Sequence, residues 1–120
     1  MGQWILPLGA SFAGLAVLLG AFAAHALKAK IGADALQTFE VAVRYQTYHA
    51  FALLIFGLCA KQRELHPLPA YFFVAGIILF SGSLYGLALT GIKWLGAITP
   101  IGGGLLISGW ALFAWGLCRR

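Results

Sequence analysis

Four long apolar runs, separated by short polar interludes, make up almost the whole chain. Each is long enough to cross roughly 30 Å of hydrocarbon as a helix of about 20 residues. The pattern predicts spans over about 4–25, 41–60, 68–90 and 95–118, within a single transmembrane domain covering residues 1–120. The interlude "KAKIGADALQTFEVAVRYQ" keeps helical spacing, with Leu36, Phe39 and Val43 on one side. It reads as an interfacial helix running into the second span, with Asp34 near its start and Glu40 pairing Arg44 at i,i+4. The expected fold is all-α: an integral membrane four-helix bundle with an interfacial helix before the second span.

The second run is the anomalous one. Between His49 and Lys61 only "AFALLIFGLCA" lacks strongly polar groups, and 11 such residues cover only ~16 Å of helix. A full crossing must therefore reach back to about Val41, taking Tyr45, Gln46 and His49 into the membrane. On this count His49 lies ~12 Å from the face where the second span begins. Ser81 and Ser83 sit at a matching depth when counted back from Thr90. In the fourth run, Thr99 either caps a helix beginning at Pro100, or Pro100 bends a helix that began earlier. These counts predict a buried polar layer of Tyr45, Gln46, His49, Ser81, Ser83 and Tyr85, roofed by His25, Glu40, Arg44 and Thr99.

Two chemistries fit His49. It could carry a proton or grip a ligand, the default for an ionisable group within a membrane. It could equally be a neutral ring hydrogen-bonded to Ser81 or Ser83 across the bundle. A hydrolase is disfavoured, because "FSGSL" lacks the context of a nucleophile elbow and no acid is buried beside it. The histidines and cysteines are too few and too scattered for a metal site. No catalytic residue and no cofactor can be named from the sequence. Small residues recur at Ala16, Gly20 and Ala24 and at Gly82, Gly86 and Thr90, a spacing that lets helices approach closely.

Composition supports the same picture. The chain is 62% hydrophobic and only 9% charged, whereas a water-soluble domain carries about 25% charged residues. The eight Lys and Arg stand at the ends of apolar runs, a placement suited to anionic lipid headgroups and not to nucleic acid. Four spans put both termini on one face, with Lys61, Arg63, Arg119 and Arg120. The opposite face has Lys28, Lys30 and Lys93, so the balance of charge points slightly to cytoplasmic termini. "MGQWILPL" lacks the basic start of a signal peptide, and its first apolar run exceeds a signal core, so no cleavage is expected. It also lacks the Ser or Thr of a myristoylation signal.

The stretches "GAFAAHAL", "RYQTYHAFALL", "LFSGSLYGLALTG" and "LGAITPIGG" resemble a family of small four-span membrane proteins typified by bacterial YgdD and YwdK. Ala23 stands where that family's pattern has Gly. The resemblance implies an inner-membrane setting, and its motif positions fall on His25, Arg44, Tyr45, Gln46, His49, Ser81, Ser83, Tyr85, Thr99 and Pro100. The family has no established activity. The expected function is that of a non-enzymatic membrane protein whose polar layer binds a small amphiphile or lipid headgroup, or supports a larger membrane assembly. The alternative is a small oligomeric transporter or proton-linked channel using His49. The expected partners are membrane lipids, with a homo-oligomer or a larger membrane complex also open.

Overall fold

A computed structural model describes residues 2–119. Four helical rods account for most of them. The first is α1 (Ile5–His25), followed by a short 3₁₀ turn at Leu27–Ala29. The second is α2 (Ala33–Gln62), and the third comprises α3 (Leu68–Gly76), a π-helical turn (Ile77–Ser81) and α4 (Gly82–Thr90). The fourth is α5 (Leu95–Cys118).

Local chemistry explains most of the boundaries. Gly32 caps α2 and Asp34 lies in its first turn, where a carboxylate complements the positive end of the helix. Pro67 precedes α3 and Pro69 sits within its first turn, where a missing N–H costs nothing. Gly91 ends α4 with φ +72°, a left-handed conformation that glycine adopts without penalty.

One expectation changes, and one open alternative is decided. The segment read as an interfacial helix is continuous with α2, which runs 30 residues without a break. Of the two readings of the fourth run, the second holds: α5 begins at Leu95, and Pro100 lies inside it. Proline there leaves the Gly96 carbonyl without its usual helical donor.

The rods assemble as two antiparallel hairpins. α1 packs along α2, α5 packs along the third rod, and α2 meets that rod to join the pairs. Between apolar helices in lipid, close packing and interhelical hydrogen bonds replace the hydrophobic drive. The tight approaches therefore identify the seams. A Cβ on Gly102 would collide with the Phe80 backbone nitrogen, so α5 rests directly on the π turn. Gly76 leaves room for Leu106, Gly109 for Phe73, and Gly57 for Leu6.

The small-residue rows that the spacing singled out behave unequally. Ala16 is buried, but the next buried position on α1 is Ala23 and not Ala24. A Cβ on Gly82 would touch nothing. Gly86 of the same row does face a neighbour, the Leu95 side chain.

Candidate functional site

The expected polar layer divides into three arrangements. The first is a hydrogen-bonded tier between α2 and the rods around it. The Gln46 Nε2 group donates to the Phe12 carbonyl of α1 at 2.8 Å, while its Oε1 accepts from the Tyr85 hydroxyl at 2.6 Å. One amide thus connects α1, α2 and α4. The Ser81 hydroxyl, held at the end of the π turn, donates to the Ala42 carbonyl at 2.8 Å. Ser83 donates to the Phe80 carbonyl at 3.0 Å and lies 2.6 Å from the Thr99 hydroxyl. A hydroxyl carries one proton, so Thr99 is then the donor to Ser83, linking α5 to α4.

The second arrangement is a histidine among aromatic rings. His49 is 5% exposed. Its Nδ1 lies 2.8 Å from the Tyr45 carbonyl, and its Nε2 accepts the Trp110 indole N–H at 2.9 Å. A carbonyl can only accept, and an indole N–H can only donate. The ring that satisfies both is neutral, with its proton on Nδ1. Tyr45 stacks on one side, and Phe73 and Trp110 lie within 6 Å, centroid to centroid.

These contacts correct the depth assigned to His49. It hydrogen-bonds to neither Ser81 nor Ser83, whose hydroxyls are engaged by Ala42, Phe80 and Thr99. Its neighbour Phe73 is 17 residues before Thr90, which places the ring ~25 Å of helix from that end. The serine tier is level with Ala42, and His49 is seven residues further along α2. The count from Val41 starts the second crossing too late, because α2 already runs beside α4 at Phe39, whose ring packs at a tilt against Tyr85.

The third set is peripheral. His25, Glu40 and Arg44 are exposed and make no side-chain hydrogen bond to the tier, so of the expected roof only Thr99 joins it. Tyr45 contributes a carbonyl and a stacked ring but remains 37% exposed.

Sequence reasoning missed Trp110, the partner that fixes the histidine. A signal was available, because an indole N–H in the interior of an apolar helix needs an acceptor, and His49 is a buried nitrogen acceptor. Among the described residues, no three His, Cys, Asp or Glu side chains gather to hold a metal ion. Every buried side-chain nitrogen or oxygen among them has a hydrogen-bond partner.

Residues 19–103 match the family profile described as a protein of unknown function, DUF423. The chain belongs to the DUF423 family. A UPF0382 membrane protein of Staphylococcus aureus (strain bovine RF122 / ET3-1) is 51% identical over 106 residues, covering 88% of this chain and 87% of the relative. One from Staphylococcus saprophyticus is 46% identical over 110 residues, covering 91% and 92%. The UPF0382 membrane protein YwdK of Bacillus subtilis is 44% identical over 108 residues, covering 88% of each chain. No solved structure matches this DUF423 chain. It is a membrane protein like its relatives, with three helices long and apolar enough to cross a bilayer: Ile5–Ala29, Leu68–Thr90 and Leu95–Cys118.

Proposed function

We propose that this DUF423 protein is a non-enzymatic protein of the bacterial inner membrane, whose buried polar groups lock four spans into a platform for a larger membrane assembly. The fourth crossing is α2. Its 30 residues extend ~45 Å, ample for the hydrocarbon core. Its Gln46 and His49 meet protein partners in place of lipid. Both termini then share a face, which the balance of Lys and Arg assigns to the cytoplasm.

The observation that carries this reading is the complete internal pairing of the polar tier and of His49. An amphiphile seated in the tier would have to displace the Tyr85–Gln46 or Ser83–Thr99 contact. A proton arriving at His49 Nε2 would set one N–H against another. Both the binding reading and the proton-carrier reading therefore oppose bonds already made, whereas a locking role uses them. The outer helix faces remain free for contacts within the bilayer, whether with a second copy or with other subunits.

The test is His49→Gln in purified protein and in proteoliposomes. The expected result is a stability loss of about 1 kcal/mol, with co-purified lipid unchanged and no change in ion flux. A pH-dependent flux in wild-type vesicles that disappears in the variant would overturn the proposal in favour of transport.

A further inference from the structure

The turn that joins α2 to α3 has a more open chemistry than the polar tier. Leu65 folds back into the protein and is 8% exposed. Beside it lies an open cleft of about 1220 Å³ at the end of the molecule where α5 finishes. Its walls are apolar, with Phe56 from α2 and Leu112 and Phe113 from α5. Its rim holds Arg63, Glu64 and Arg119. The Arg63 guanidinium donates to the Leu117 carbonyl at 2.9 Å and to the Arg119 carbonyl at 2.6 Å. Those bonds serve one carbonyl in the last turn of α5 and that of its cap residue, and they set a positive charge against the negative helix end. They also fix the guanidinium at the rim, and its five N–H groups exceed the two carbonyls it serves.

We infer that this cleft holds an anionic phospholipid, with its phosphate headgroup at Arg63 and Arg119 and the upper part of an acyl chain against Phe56, Leu112 and Phe113. Two independent features select that occupant. The apolar walls accept hydrocarbon and offer a free inorganic anion nothing. The two rim arginines outnumber Glu64, leaving net positive charge beside the end of α5. This site lies apart from the polar tier and does not depend on the locking role proposed above.

Lipid retention measured by native mass spectrometry tests it, using protein reconstituted into phosphatidylglycerol or phosphatidylcholine nanodiscs. Wild type is expected to keep a phosphatidylglycerol molecule and to release phosphatidylcholine. Arg119→Gln, whose backbone carbonyl still serves Arg63, is expected to reduce retention about fivefold. Leu112→Trp, which fills the cleft without altering charge, is expected to reduce it further. Lys28→Gln with Lys30→Gln, at the opposite end, should leave retention unchanged. Equal retention of the two lipids would overturn the inference. So would a folded Leu112→Trp protein that keeps its phosphatidylglycerol, because surface attraction alone would then explain the binding. Should Leu112→Trp fail to fold, an Arg119→Gln protein with wild-type retention would overturn it equally. Glycerol phosphate competing as well as the intact lipid would assign the cleft to a soluble anion and reject the lipid.

Discussion

The two ends of the central seam are held by different forces. Towards the Thr90 end, α2 and the third rod are joined by hydrogen bonds: Ser81 to Ala42, and Tyr85 to Gln46 and on to Phe12. Towards the Leu68 end, the seam is aromatic. Phe56, Phe73 and Phe113 are nearly inaccessible and stack edge to face at 5.1 to 6.4 Å. Hydrogen bonds between membrane helices average about 0.6 kcal/mol and reach about 1.7. A buried phenyl ring makes dozens of small dispersion contacts. The aromatic end therefore supplies most of the cohesion, while the polar end specifies which faces meet. His49 belongs to the aromatic end although its chemistry suggests the other.

The largest effect should follow from removing the centre of the aromatic end. Phe73 is fully buried and touches His49, Trp110 and Phe113. Phe73→Ala is expected to cost about 3–5 kcal/mol, read as a large drop in melting temperature. Next is Gly102→Ala, which forces α5 off the π turn and should cost about 1–3 kcal/mol. Gly104→Ala, in the same helix with no atom within 4 Å of the new Cβ, is the control and should be near neutral. Smallest is Gln46→Leu, which strips the Tyr85 hydroxyl of its acceptor, at about 1 kcal/mol. If Gln46→Leu proved more damaging than Phe73→Ala, the division of labour described here would be reversed.

Much of the fold was legible in the sequence because apolar length and punctuation are strong signals. Helix ends at His25, Thr90 and Cys118 follow from the hydropathy runs and from Gly91. Within the site, Gln46, Ser81, Ser83, Tyr85 and Thr99 were named, and the structure brings them into one tier. The depth of His49 was not legible, since it depends on how far α2 extends beside α4. That extent is set by packing at Phe39 and Tyr85, and not by hydropathy. Nor was the π turn, because "IILFS" carries no proline or other local mark and one surplus residue leaves the hydropathy unchanged. Three residues of the expected roof, His25, Glu40 and Arg44, stay apart for a related reason: sequence spacing gives the helix face of a charge, but not whether a neighbour stands opposite it.

That surplus residue gives the third rod one position it can lose. Each residue of a plain α-helix advances the face by about 100°, and the wider π turn fits one extra residue into the same rotation. Straightening the turn with all its residues kept would swing everything after it by that angle, and Ser83, Tyr85 and Ala88 would leave their partners together. Deleting one residue of the turn would instead return the rod to a plain helix with those faces in place. A one-residue deletion within Ile77–Phe80 should therefore be tolerated better than one within α4.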